Sequence, residues 1–304
     1  MKISPALDEK TVCEYVGDAD AILGFRITRR IIDSAPKLRF IQALGTGVDG
    51  IDLDAALERG VTVCNSVGEN AVEVSEHALA LMLALAKNLH KYQRNLASGN
   101  VRRLKQVMLK GKTLGIIGLG SIGMEVAKRV RPLGMRVIAI RRHPRDDLKE
   151  KLGLEFLGGP GNLDYILRES DFLLLSAVLT KETKGMIGER QLSLMKDGAY
   201  LINIARGGLV DETALSAALR RGKLAGAGLD VFQTEPITLD NPLIGLENVI
   251  LTPHVGGGAW PPEATERRVE FIVSNLVKAL TGGKPDNVVD SVLGYARGTT
   301  LLEI

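Results

Sequence analysis

The stretch Thr113–Gly123 reads TLGIIGLGSIG. A short apolar run passes directly into Gly118-x-Gly120-x-x-Gly123, and a helical pattern follows over Ile122–Pro132. Each glycine has its own task in such a turn. Gly118 permits the tight reversal, Gly120 lets the main chain approach a pyrophosphate, and Gly123 lets the helix lie close to the strand. Free N–H groups at the helix N-terminus then meet the negative phosphates. The glycine spacing alone is a weak signal. The strand before it and the helix after it make it a dinucleotide-binding fingerprint.

Working outward, the same alternation continues on both sides. Strands are expected at Thr113–Ile117, Arg136–Ile140, Phe172–Ala177, Tyr200–Asn203, Gly226–Asp230 and Val249–Thr252. Helices are expected at Ile122–Pro132, Asn162–Glu169, Glu189–Leu194, Glu212–Arg221 and Ala264–Thr281. Short β-rich runs separated by helices argue for a doubly wound parallel sheet. Upstream, Ala21–Phe25, Arg39–Ala43 and Val61–Cys64 read as strands, with helices around Arg29–Ala35 and Leu53–Arg59. Between the two blocks lies a long helical stretch, Ala71–Ser98, apolar on more than one face. A surface helix should show one stripe only. The expectation is burial on several sides, either within one subunit or in a dimer contact. Gly256-Gly257-Gly258 and Pro261-Pro262 mark a joint. The fold class is therefore α/β: two Rossmann-like or flavodoxin-like domains, each a doubly wound parallel sheet, with a cleft between them. Residues 69–259 form the dinucleotide-binding domain, and residues 1–68 with 260–304 form the substrate domain.

Composition narrows the function classes. The chain has 304 residues, 45% hydrophobic and 25% charged, which fits about two globular domains. Only 4% is aromatic, too little for a base-stacking platform, and 39 basic against 36 acidic residues leave a net charge of +3. No nucleic acid partner is expected. Cys13 and Cys64 form no CxxC pair and no metal-ligand spacing with the histidines, so no metal site is expected. The apolar run Ala78–Ala86 is too short to span a membrane, and Met1–Asp20 holds no apolar signal core. A cytoplasmic protein with no membrane partner is the expectation.

The second strand of a dinucleotide fold usually ends in an acid that takes the ribose hydroxyls. Here Val137–Ile140 ends in Arg141 and Arg142, and no acid occurs before Asp146. Two guanidinium groups would welcome a 2′-phosphate. NADP(H) is expected in preference to NAD(H), with NAD(H) as the alternative.

A hydride leaving a nicotinamide for a ketone needs a proton donor at the carbonyl oxygen and a cation for an adjacent carboxylate. Histidine suits the first task. His77 and His90 lie on the long helix, and His143 sits in the basic turn. His254 alone follows a strand directly and precedes glycines, where a side chain can face a cleft. Glu235 would hold its imidazole in the protonated form. Arg206 would bind the substrate carboxylate, and its carbonyl oxygen as well, with a planar fork.

Five segments appear in order: LGTGVDGID at Leu44–Asp52, GLGSIG at Gly118–Gly123, NIARGGLVDETAL at Asn203–Leu215, GLDVFQTEP at Gly228–Pro236 and TPHVGGG at Thr252–Gly258. Together they resemble the D-isomer-specific 2-hydroxyacid dehydrogenase family over nearly the whole chain, from about Asp18 to Val289. The resemblance implies the same roles for Arg206, Glu235 and His254. It further implies that Ser121 and Ile122 touch the pyrophosphate, that Ile204 and Ala205 line the nicotinamide, and that Asp230 takes the nicotinamide amide. Gly256 joins the cofactor set. The backbone of Leu44, Gly45, Thr46 and Gly47 should cradle the substrate carboxylate from the other domain, with Asn65 and Ser66 near the cleft. A homodimer through the 71–98 region is implied as well.

The sequence departs from the family in three places. Only 17 residues precede Asp18, so the first strand of the substrate domain is expected to be missing. Either the natural start lies upstream of Met1 or the domain compensates. Ser176-Ala177-Val178-Leu179 stands where a proline is usual, on the adenine side, which bears on Ala177 as a cofactor contact. Trp260, the only tryptophan, could wall the substrate pocket or pack at the domain joint. The substrate expected is a small 2-oxo or D-2-hydroxy acid, first glyoxylate or hydroxypyruvate, with a phosphoglycerate dehydrogenase-type enzyme as an alternative. Glu235 argues against the formate dehydrogenase subgroup, which uses Gln. The absence of lysine near Thr46 and Gly47 argues against phosphite dehydrogenase. A nucleotide-sensing co-repressor on the same fold is the reading from another class.

Overall fold

A computed structural model describes Ser4 and residues 8–258, 262–290 and 295–296. Along the chain run α1 (Glu9–Tyr15), β1 (Ala21–Gly24), α2 (Arg29–Asp33), β2 (Phe40–Ala43), α3 (Leu53–Glu58), β3 (Thr62–Cys64), α4 (Ala71–Ala86) and α5 (Leu89–Ala97). There follow β4 (Thr113–Ile117), α6 (Ser121–Val130), β5 (Arg136–Ile140), α7 (Asp146–Leu152), β6 (Phe156–Gly158), α8 (Leu163–Glu169) and β7 (Phe172–Leu175). The rest are α9 (Glu189–Leu194), β8 (Ala199–Asn203), α10 (Glu212–Arg220), β9 (Leu224–Leu229), β10 (Val249–Leu251), α11 (Pro262–Leu280), β11 (Val289–Asp290) and β12 (Tyr295–Ala296). Two compact units result, residues 71–259 and residues 1–70 with 260–304.

In the larger unit seven parallel strands lie in the order β10-β9-β8-β7-β4-β5-β6. The chain leaves β4 in one direction for β5 and returns on the other side for β7, so the sheet reverses between β4 and β7. Ligands bind at such switch points, outside the carboxyl ends of the strands. Strand residues alternate between two apolar cores. Leu114, Ile116, Phe172 and Leu174 face α4 and α6, while Ile117, Leu173 and Leu175 face α8 and α10. Burial on both faces explains why these strands read as unbroken apolar runs.

Seven strands replace the six expected. The addition, β6, has three residues and pairs with β5 from Ile138↔Phe156 to Ile140↔Gly158. It is too short to show a period. Helix α7 was equally hidden, because in DDLKEKL only Leu148 and Leu152 are buried. The single long helix expected over Ala71–Ser98 is two helices. Asn88 between them takes a left-handed conformation (φ 54°) and donates through Nδ2 to the Lys105 carbonyl at 2.8 Å. Asparagine tolerates this region better than most residues. One apolar face of α4 is filled by the chain's own core, where Ala78, Leu81, Met82 and Leu85 pack beside Ile202 and Ile204, while Leu79 and Leu83 are partly buried and Val72 is exposed. Gly226 and Gly228 on β9 leave room for Leu85 and Leu81.

The smaller unit carries a three-stranded parallel sheet, β1-β2-β3. Ile41 and Ala43 of β2 face Ile31, Ile32, Ala55 and Ala56 of α2 and α3. On the opposite face buried Gln42 meets buried Asn275 of α11 (3.0 Å), so helices cover both sides. Thr28 and Asp52 cap α2 and α3 with side-chain oxygens. Helix α1, capped by Asp8, docks on α2 through Glu9, which accepts from Thr28 Oγ1. Among the described residues β1 is an edge strand, half-buried throughout, whereas β2 is fully buried. No helix among them is long and apolar enough to cross a membrane. Trp260 lies outside the described residues.

Candidate active site

The glycine loop stands where β4 meets α6. Gly118 has φ 97°, and a Cβ there would lie 2.5 Å from the Ala177 backbone. Ser176 Oγ donates to the Gly118 carbonyl at 2.7 Å, so the Ser176–Ala177 segment backs the turn. A Cβ on Gly123 would approach the Gly118 carbonyl to 2.7 Å. Gly120 differs: the place of its side chain is open space. Two glycines thus serve internal packing, and the third leaves a cradle beside the N-terminus of α6. Gly120 caps α6 without any side-chain hydrogen bond, so the N–H groups of Ser121, Ile122 and Gly123 have no carbonyl one turn back. These features fit a dinucleotide pyrophosphate. Past the end of β5, Arg141 donates its N–H to the Gly158 carbonyl (3.0 Å). Burial, then neighbouring Arg145, lower its pKa from the ordinary guanidinium value.

The candidate catalytic residues are carried by the loops after β8, β9 and β10. His254 Nδ1 donates to Glu235 Oε2 at 2.7 Å. Glu235 Oε1 accepts the Phe232 N–H at 3.0 Å, which fixes the carboxylate from its other side. The ring's remaining nitrogen, Nε2, belongs to a side chain 47% exposed. Such a histidine can donate a proton outward while a carboxylate steadies it from behind. Arg206 follows buried Asn203, whose Nδ2 donates to the Arg206 carbonyl (2.9 Å) and whose Oδ1 accepts from the Ala205 N–H (3.1 Å). Ile204 is buried and Ala205 half-buried beside it.

The Arg206 and Glu235 segments are laced together by main-chain contacts that sequence reading passed over. A Cβ on Gly207 would overlap the Phe232 carbonyl and the Gln233 nitrogen. Buried Glu212 accepts from the Gln233 N–H and from Asn241 Nδ2, both at 2.7 Å, and Gln233 Nε2 donates to the Val210 carbonyl at 2.6 Å. The paired glycines Gly207-Gly208 were the only sequence signal for this close approach.

Asp230, expected at the nicotinamide amide, is 2% exposed and engaged by its own chain. Oδ1 accepts from Thr252 Oγ1 (2.6 Å) and the Val255 N–H (2.9 Å), and Oδ2 accepts from the Gly256 N–H (2.8 Å). Burial opposes its charge, but hydrogen bonds from His77, Thr252, Val255 and Gly256 outweigh that and hold its pKa below the ordinary value. In the smaller unit, Leu44–Gly47 leaves β2. Ser66 N–H donates to the Gly45 carbonyl (3.0 Å), Asn65 Nδ2 to the Thr46 carbonyl (2.8 Å), and Thr46 Oγ1 to Asn70 Oδ1 (3.2 Å). The structure brings Glu235 and His254 into contact and ties the segment after Arg206 to Phe232 and Gln233, just before Glu235. Leu44, Gly45, Thr46 and Gly47 belong to the other unit.

A parallel sheet with a glycine-lined loop at its switch point, and a histidine–carboxylate pair on loops at the same strand ends, is the arrangement of a dinucleotide-binding domain. Residues 79–256 match the family described as "D-isomer specific 2-hydroxyacid dehydrogenase, NAD binding domain". The chain belongs to the D-isomer specific 2-hydroxyacid dehydrogenase family. D-3-phosphoglycerate dehydrogenase of Methanocaldococcus jannaschii is 38% identical over 295 residues, 95% of this chain and 55% of that protein. Glyoxylate reductase of Korarchaeum cryptofilum is 38% identical over 291 residues, 93% of this chain and 86% of that protein. The crystal structure of an NADPH-dependent glyoxylate/hydroxypyruvate reductase from Sinorhizobium meliloti, with NADP and malonate, superposes with a TM-score of 0.81 at 30% identity, covering 93% of this chain and 88% of that one. The chain spans about half the length of the phosphoglycerate dehydrogenases it matches, 55% and 48%.

Proposed function

We propose that this chain is an oxidoreductase that interconverts a small 2-oxo acid and its D-2-hydroxy acid with a nicotinamide dinucleotide. The observation that carries the reading is the 2.7 Å contact between His254 Nδ1 and Glu235 Oε2, in the same unit as the Gly118–Gly123 loop. The residues present fit the dinucleotide. Gly118, Gly120, Ser121, Ile122 and Gly123 would hold its pyrophosphate, Ala177 would border the adenine side, and Ile204, Ala205, Asp230 and Gly256 would line the nicotinamide. When bound, the dinucleotide supplies or takes the hydride. The chain's own residues do the rest. Arg206 grips the substrate carboxylate, and His254 delivers a proton from Nε2 to the carbonyl oxygen. Glu235, fixed by the Phe232 N–H, stabilises the ring while it carries the charge.

NADP(H) is the preferred cofactor in this reading. Arg141 and Arg142 stand where an acid would otherwise meet the ribose, and no acid precedes Asp146. Glyoxylate or hydroxypyruvate is the substrate, in keeping with the relatives of nearly equal length. The same reading makes the protein a cytoplasmic homodimer. The candidate contact is the 71–98 region, where Val72 on α4 and Leu89 and Leu96 on α5 are exposed and Leu79 and Leu83 are only partly buried.

The test is a panel of small 2-oxo acids, 3-phosphohydroxypyruvate included, assayed with NADPH and with NADH. Glyoxylate or hydroxypyruvate with NADPH should give the highest kcat/KM. Replacing Arg141 and Arg142 together by Ala should lower kcat/KM for NADPH about 10- to 100-fold and leave NADH nearly unchanged. A wild-type preference for NADH would overturn the cofactor assignment. Full turnover by His254→Ala would overturn the catalytic one.

A further inference from the structure

His254 sits in a left-handed backbone conformation (φ 53°), which few residues other than glycine adopt. Histidine tolerates this region better than most side chains, and hydrogen bonds hold it there. The loop Thr252–Gly256 is wrapped around one residue, Asp230. The Asp230 carbonyl accepts the His254 N–H at 2.8 Å, and the Asp230 carboxylate gathers the next two N–H groups, from Val255 and Gly256. Asp230 is therefore the template on which the turn carrying His254 is built. A template works only if its own rotamer is locked.

His77, on the second turn of α4, supplies the lock. Its Nε2 lies 2.9 Å from Thr252 Oγ1 and 3.4 Å from Asp230 Oδ1. Thr252 has a single hydroxyl hydrogen, and Asp230 Oδ1 at 2.6 Å takes it, since the carboxylate can only accept. Thr252 Oγ1 must then accept from His77, so the ring is protonated at Nε2. His77 also fills the space beside the turn: a Cβ on Gly256 would meet the His77 ring at 3.3 Å. The helix is anchored in the core by Ala78, Leu81 and Met82, so the imidazole is presented from a rigid element.

We infer that His77 is a positioning residue for the proton transfer, acting through Thr252 and Asp230 to hold the turn that sets His254 against Glu235. The inference rests on the function proposed above, and its test separates the two. His77→Phe removes the donor but keeps a ring, and His77→Gln keeps an N–H at similar reach. Both are measured for kcat, for KM of the 2-oxo acid, and for Kd of the reduced cofactor by fluorescence, beside His254→Ala. His77→Phe should lower kcat about 10- to 100-fold with KM and Kd within about threefold, and His77→Gln should restore most of the loss. Thr252→Val should reproduce the loss, and the double variant His77→Phe/Thr252→Val should be no slower than the worse single one. Should His77→Phe fail to fold, Thr252→Val against Thr252→Ser carries the same comparison. Near-normal kcat in His77→Phe or Thr252→Val, or additive losses in the double variant, while His254→Ala is inactive, overturns the positioning role alone. Activity in His254→Ala overturns the function on which it rests.

Discussion

Gly207 is the point at which the Arg206 and Glu235 loops meet, and replacing it by alanine measures how closely the two must be held. The added Cβ would overlap the carbonyl of Phe232 and the nitrogen of Gln233, both main-chain groups that cannot rotate aside. The added Cβ would lie 1.8 Å from the Phe232 carbonyl carbon, and carbon atoms rest about 3.5–4.0 Å apart, so the two segments must separate by about 2 Å. Overpacking of that kind destabilises by about 1–3 kcal/mol. At roughly 2–4 °C per kcal/mol for a unit of this size, the melting temperature should fall by about 2–12 °C. Turnover should suffer far more, because a displacement of ~1 Å at a reacting group can lower the rate about 100-fold. Gly208→Ala is the control. The nearest neighbours of its Cβ would be in the Leu179 side chain, Cδ2 at 3.0 Å and Cδ1 at 3.3 Å, the far end of a flexible side chain rather than main chain. The assay is steady-state oxidation of NADPH by glyoxylate, with thermal melting on the same preparations. Gly207→Ala with kcat within about twofold of the parent, or Gly208→Ala equally impaired, would refute the reasoning.

Two further outcomes follow from the nucleotide loop and the buried carboxylate. Gly120→Ala should leave the melting temperature of the ligand-free protein unchanged while raising the cofactor Kd about tenfold or more, because its side chain would enter open space rather than protein. Gly118→Ala should instead destabilise the fold, since φ is 97° and Ala177 stands in the way; binding titrations and melting curves on both variants separate the cases. Asp230 has a folded-state pKa below its ordinary value, so the stability it contributes is complete above the unfolded-state value and is lost as pH falls through the folded one. Asp230→Asn should therefore melt lower than the parent near neutrality, and the gap should close below about pH 4; a gap independent of pH would count against the charged network.

The parts of this molecule that were readable in advance are those in which local chemistry repeats a known constraint. The run Thr113–Ile117 had to be a buried parallel strand because apolar residues filled both of its faces and a glycine turn followed. His254 stood out because it follows a strand and precedes glycines. Where the structure differs, the determinant is long-range or too short to have a period. Phe156–Gly158 becomes a strand only because Ile138–Ile140 offers an edge. The break at Asn88 depends on partners at Lys105 and Val107, which accept from Asn88 and Lys87. Glu212 and Thr252 look like ordinary surface polar residues in the sequence. They gain their roles only when Gln233, Asn241 and Asp230 are folded against them.

Arg206, Glu235, His254 and the phosphate loop all belong to residues 71–259, whereas Leu44–Gly47 belongs to the other unit. The glycine loop and the Glu235–His254 pair are held by hydrogen bonds from within residues 71–259, and the Thr46 turn by Asn65, Ser66 and Asn70 of its own unit. Substitutions at the Thr46 turn therefore fall outside the hydrogen bonds that fix the 2.7 Å His254–Glu235 pair, and the two segments are free to vary in sequence independently.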